Sequence, residues 1–272
     1  MKTLFNAKKL LLGMLVPFIL LTDPLSTFAY EKNISYSPEK EISIKNKITK
    51  DNVKVYYDYV NDFYFTQPFR VEKGVKREIS YEEYMSRVLE AKTFKETQAQ
   101  RTNEILNSNS KLINDNGIIQ PMMLTYSYQY GKAGEKIVLN TDKATRVSPT
   151  VTARDIDTNI SVSISTSVSE TFKGDFGVTA EIKKLIKATL TLGYSKTTVN
   201  SQTFSSSGTI PKGYSGYYQF TPRMLYTWGT VTQIEYTNYV ECHRYYSSYT
   251  AYLPREVGGY ADGDYVIKLT KL

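Results

Sequence analysis

A chain of 272 residues with 41% hydrophobic side chains, 24 tyrosines among them, is long enough to bury one or two cores. Its one cysteine, Cys242, excludes an internal disulfide framework and a multi-cysteine metal site, and its one histidine excludes most zinc sites. The formal charge of +7 comes without an arginine-rich cluster or a nucleic-acid motif, so nucleic acid is excluded as the expected partner.

Residues 1–29 read as a secretory signal peptide: Lys2, Lys8 and Lys9 precede an apolar run from Leu10 to Leu21, and small residues at Thr27 and Ala29 suit cleavage. The run is too short to span a bilayer as a helix, and the mature protein is expected to be secreted and extracellular. Of 34 Lys and Arg, losing three leaves 31; of 27 Asp and Glu, losing one leaves 26, so the mature charge is +5. Residues 30–50 are polar and lysine-rich and read as a flexible leader. The segment KVYYDYVNDFYF, 54–65, reads as an aromatic strand or a pair of short strands, and its Tyr56, Tyr57, Tyr59 and Tyr64 fit either receptor contact or core. Ser80, three residues before Glu83, makes a capping-box pattern. Tyr81, Tyr84, Met85, Val88 and Leu89 then share one face, which predicts a helix over about 81–106.

The stretch NSNSKLINDNGIIQPMM, 107–123, ends that helix and reads as a boundary or exposed loop, and as a site open to proteolysis. The division expected is therefore a leader and helical region over 30–119 and an all-β domain over 120–272. In the second region Ser, Thr, Tyr and Val alternate between Gly, Pro and Asp, and Asp262-Gly263 introduces a closing strand from Tyr265 to Leu269. The fold class is mainly β: an elongated antiparallel sheet or sandwich with a long amphipathic hairpin, preceded by a small helix-containing region.

That hairpin lies within 159–206. From Ile160 to Ala180 the even positions are mostly apolar, while the odd ones carry Ser161, Ser163, Ser165, Ser167, Ser169 and Thr171. As one strand at ~3.3 Å per residue this stretch would reach roughly 70 Å, far beyond a usual strand. The return strand repeats the pattern, with Leu190 and Leu192 against Thr189 and Thr191. Pairing Ala180 with Ala188 sets Val178 opposite Leu190, Phe176 opposite Leu192 and Phe172 opposite Lys196, an apolar band about nine residues tall. A tilted transmembrane strand needs about 9–11 residues, and one hairpin cannot close a barrel, so several copies would have to assemble.

In that reading Phe172, Phe176, Val178, Ile182, Leu185, Ile186, Leu190 and Leu192 are the membrane-inserting residues, and Ser161, Ser163, Ser165, Ser167, Thr189 and Thr191 face the lumen. Glu170 falls on the lipid side and must lie outside the hydrocarbon. The tip EIKKLIK offers three aliphatics with Lys183, Lys184 and Lys187 for headgroups, though a short amphipathic helix packed on a sheet would carry the same residues. A soluble sandwich with one wet face matches the alternation equally.

The order of a long Ser/Thr-rich amphipathic strand, a short tip, a return strand and then TIPKGYSGYYQFTP resembles the insertion module of aerolysin-like β-pore-forming toxins of the epsilon-toxin type, over about 125–270. The chain also resembles small secreted Gram-positive proteins of unassigned role. The aerolysin resemblance implies a soluble monomer, binding to a surface receptor on a target cell membrane, homo-oligomeric ring assembly, and conversion of a hairpin over Ile160–Phe204 into a shared barrel. The region of about 90 residues ahead of it departs from the receptor modules of that family. A non-lytic secreted binding module for cell wall, matrix or protein is the alternative.

Catalysis is not expected. Cys242 and His243 are neighbours and would point to opposite faces of a strand. No hydrolase, phosphate-loop or dinucleotide motif occurs, and RDIDTN opens like a calcium loop but puts Ile160 where glycine is required and Thr166 where glutamate is. No cofactor is expected.

Overall fold

A computed structural model describes residues 53–108, 123–192 and 198–272, all belonging to one compact unit, Ile44–Leu272; of residues 99 and 101–108 only the backbone is described. The expected signal peptide and leader, and most of the 107–123 stretch, lie outside the described residues. The architecture is mainly β with a large antiparallel sheet, as the alternation predicts.

The aromatic segment forms two strands, β1 (Tyr56–Asp58) and β2 (Phe63–Glu72), and β3 (Val75–Glu78) pairs with β2. The turn between β1 and β2 is built by Asp58, whose Oδ1 accepts from the Val60 and Asn61 amides at 3.0 Å. Helix α1 (Tyr81–Ser108) starts where the capping pattern puts it: Ser80 Oγ accepts from the Glu83 amide at 3.0 Å, and Glu82 and Glu83 sit at the positive end of the dipole. Its apolar stripe of Tyr84, Met85, Val88 and Ala91 is buried with Phe63, Phe65, Ile79, Leu139 and Val266. Its next turn sets the Phe94 ring edge-on to Tyr226 and Trp228, at 5.1 and 5.8 Å.

After β4 (Leu124–Leu139) and a turn of 3-10 helix at Thr141–Lys143 come the short strands β5 (Thr145–Arg146) and β6 (Val151–Ala153). Next are β7 (Thr158–Ile164), β8 (Ser167–Ser169), β9 (Thr171–Gly174), helix α2 (Ala180–Ala188), β10 (Thr198–Asn200) and β11 (Phe204–Ile210). The chain ends in β12 (Tyr214–Thr237), β13 (Val240–Pro254), the small pair β14 (Glu256–Val257) and β15 (Tyr260–Ala261), and β16 (Gly263–Lys271).

The spine is β12, at 24 residues the longest strand described. Its first part pairs with β16 on one edge and with β6 and β5 on the other, and its second part pairs with β13 and β4. The partners change at Pro222, whose missing N–H costs nothing where one ladder ends and the next begins, while its carbonyl accepts from the Asn140 amide at 2.8 Å. The β12–β13 hairpin closes on Asn238 and Tyr239, with φ of 51° and 69°, the doubly left-handed turn that matches strand twist.

Candidate membrane-insertion region

Residues 158–210 contain the alternation that the sequence displays, but not as one ribbon. Strand β7 pairs with β11, with Ile164 opposite Phe204 and Ile160 opposite Gly208, and β8 pairs with β10, with Val168 opposite Val199. The register implied by Ala180 opposite Ala188 is the register of β7 with β11. Between the two pairs the return strand holds one extra residue, a bulge that slips β10 by one.

On this ribbon the two faces separate as expected. Ile160, Ile164 and Val168 are buried with Val199, Ile210, Phe69, Tyr218 and Tyr265, whereas Ser161, Ser163, Ser165 and Ser167 are exposed. The opposite strand adds Ser205 and Ser207 to the exposed side, directly across from Ser163 and Ser161.

The expected single strand from Ile160 to Ala180 is corrected beyond Ser169. Strand β9 leaves the ribbon and pairs with β13, with Phe172 opposite Ala251 and Lys173 opposite Thr250 rather than Phe172 opposite Lys196. The reason is visible at Gly174, where the Tyr249 ring covers a position that any Cβ would occupy. The Tyr249 hydroxyl then donates to the Gly177 carbonyl. Ser247 completes the strap, accepting from the Asp175 amide at 3.1 Å and donating to its carboxylate at 2.8 Å.

The expected tip is likewise a helix lying on a sheet. Thr179 Oγ1 caps α2 by accepting from the Ile182 amide at 3.2 Å, and Thr189 closes it by donating its hydroxyl to the Ile186 carbonyl at 2.8 Å. Spacing of i, i+4 puts Ile182 and Ile186 on one face, both 0% exposed against Leu225, Val231, Tyr249, Ala251 and Leu253. Phe172, Phe176, Val178 and Leu190 pack at the margin of the same cluster, Leu185 is half-buried, and Leu192 is 43% exposed. Replacing Ile186 by alanine is expected to cost about 2–5 kcal/mol in chemical denaturation, the range for deleting a buried aliphatic.

Two carboxylates fasten this region. Glu170, at a lipid-side position of the predicted ribbon, is buried under α2, with Lys187 Nζ at 2.6 Å and Lys183 Nζ at 3.9 Å. The same two ammonium groups lie 5.4 Å (Lys183) and 5.8 Å (Lys187) from the centre of the Phe172 ring. On the far side of α2, Glu135 accepts from the Thr191 and Leu192 amides, the latter at 2.7 Å, and from the Thr191 hydroxyl. Burial raises the Glu135 pKa, but those hydrogen bonds and Lys132 outweigh it and hold the carboxyl below its ordinary 4.5. A lowered folded-state value stabilises the anchor above pH 4.5, and that contribution is lost as pH falls through the folded pKa. The protection factors of the Thr191 and Leu192 amides, taken against intrinsic exchange at each pH, are therefore expected to fall on acidification, and Glu135→Gln to remove the dependence.

The tyrosines proposed for receptor contact divide. Tyr56 stacks on Tyr81 at 5.2 Å and belongs to the core margin, and Tyr57 donates its hydroxyl to Asp62 at 2.6 Å. Tyr59 and Tyr64 are exposed, at 49% and 39%. A larger aromatic display, which the sequence reading passed over, sits at the β12–β13 turn: Tyr239, Tyr245 and Tyr246 are all exposed. The sign of it was the tyrosine density of 236–249 itself. Cys242 and His243 are exposed on β13, and among the described residues no group of three or more metal-ligating side chains gathers.

No family model matches the chain, and no curated protein does. Among solved structures, the crystal structure of the parasporin-2 Bacillus thuringiensis toxin, described as recognising cancer cells, is similar at 12% identity and a TM-score of 0.17, over 56% of this chain and 72% of that one. So low a score is a weak resemblance and carries no conclusion about fold or activity.

Proposed function

We propose that this chain is a secreted pore-forming protein of the aerolysin-like type, in which residues 171–192 leave the sheet and extend the β7–β11 ribbon into a membrane-crossing hairpin. The observation that carries this reading is that the apolar and polar alternation of β7 and β8 continues, in sequence, through Phe172, Phe176 and Val178 and resumes at Leu190 and Leu192, on either side of α2. Phe172, Phe176, Val178 and Leu190 obtain burial by leaning on the sheet, and an extended ribbon would offer the same side chains to lipid while Ser161 to Ser167 face water. Closure of backbone edges requires several copies. The burial of Ile182 and Ile186 at 0% favours a second reading, a finished sandwich that binds a surface and stays intact.

Dye release separates the two. The pore reading expects leakage from vesicles or erythrocytes together with oligomers that resist dissociation in detergent. Binding without leakage in every membrane tested, before and after limited proteolysis, establishes the intact module instead.

A further inference from the structure

A polar cavity of about 350 Å³ opens between the first β-turn, the N-terminal turns of α1, β5, and the face of β12 that carries Tyr217, Gln219 and Thr221. Gln219 and Thr221 are more than nine-tenths buried, and both line this cavity. An amide and a hydroxyl two residues apart on one strand face, both at the wall of this cavity, suit a polar occupant.

The charge at the cavity wall is of one sign. Arg146 and Lys268 line it, no acidic side chain does, and neither cation has an ion-pair partner among the described residues. Arg146 is positioned by its Nε, which donates to the Ser148 carbonyl at 2.6 Å, and by the Tyr217 ring 5.0 Å away. Lys268 Nζ lies 4.5 Å from the centre of the Phe63 ring. The nearby carboxylates are consumed elsewhere: Asp58 by the Val60 and Asn61 amides and the Asn61 and Tyr84 side chains, and Asp264 by Arg70 and Arg87.

We propose that this cavity binds a small hydroxylated anion, a sugar ring carrying one phosphate or carboxylate. Arg146 and Lys268 take the anionic oxygens through charge-assisted hydrogen bonds, Gln219 and Thr221 take ring hydroxyls, and Tyr217 supplies an aromatic wall. The site is separate from the 158–210 region, so it stands or falls independently of pore formation.

Calorimetry on the full chain, without membranes, tests it with inositol 1-phosphate and N-acetylneuraminic acid as probes, and with uncharged inositol and inorganic phosphate as comparisons. The expected result is one site per chain for at least one charged sugar, with both comparison compounds weaker. Arg146→Ala, at an exposed position that leaves the melting temperature in place, and Lys268→Met should each weaken binding about tenfold or more, the effect of losing a charged hydrogen bond. Thr221→Val should weaken it less. Absence of saturable binding by both charged sugars overturns the proposal, as does binding that both cation variants leave unchanged, or phosphate binding as tightly as the sugars. Retention on phosphatidylinositol vesicles that Arg146→Ala abolishes identifies a lipid headgroup as the source, and retention on immobilised sialylated glycan that the same variant abolishes identifies a surface glycan.

Discussion

On a Cys242→Ser background, the pair Lys173→Cys with Thr250→Cys is expected to oxidise readily and to bring lysis down to the level of buffer alone, with full recovery on reduction. These residues face each other across β9 and β13, and paired antiparallel positions hold their Cα atoms about 4.5–5.5 Å apart, inside the range a disulfide needs. The crosslink leaves the folded monomer intact and forbids one event, the departure of β9 from the sheet. A matched pair, Thr232→Cys with Tyr246→Cys, staples β12 to β13, which the mechanism does not ask to separate, and should lyse as well oxidised as reduced. Undiminished leakage from the oxidised Lys173/Thr250 variant would remove insertion of residues 171–192 from consideration, because a covalently held strand cannot enter a bilayer.

The largest stability effect is expected at Asp264. Its side chain is 0% exposed, with Arg70 Nε at 2.6 Å and Arg87 Nη1 at 3.2 Å, so one carboxylate joins β2, α1 and β16. Arg70 is itself 8% exposed, and its Nη2 finds no acceptor. Asp264→Ala leaves that guanidinium buried without a counter-charge and should cost about 3–5 kcal/mol in denaturant unfolding, the range for removing one partner of a buried ion pair. Asp142→Ala, which breaks the exposed 2.6 Å contact with Lys95, should change little, since water replaces what is lost. Equal effects at the two positions would mean that Asp264 is solvated in solution.

Local chemistry made much of this protein legible. The Ser80 cap and the stripe from Tyr84 to Val88 fix α1 because a helix needs only its own turns to choose a face. Period-2 alternation fixes which side of β7 is wet; the register implied by Ala180 opposite Ala188 holds for β7 with β11 but slips by one at β8 with β10. The long β12 was harder to read, since Gly216, Pro222 and Gly229 look like breaks in sequence and prove to be places where partners change or a neighbouring ring or backbone comes close.

For residues 171–192 the sequence carried two answers at once. Phe172, Phe176 and Val178 alternate like a strand, while Ile182, Leu185 and Ile186 are spaced like a helix, and neither pattern contains the surface that receives them. That surface is built from β12 and β13, tens of residues downstream, with Tyr249 over Gly174 and an apolar seat for Ile182 and Ile186. A side chain's period states which face is apolar, but only the assembled sheet decides whether that face meets protein or is left for something else.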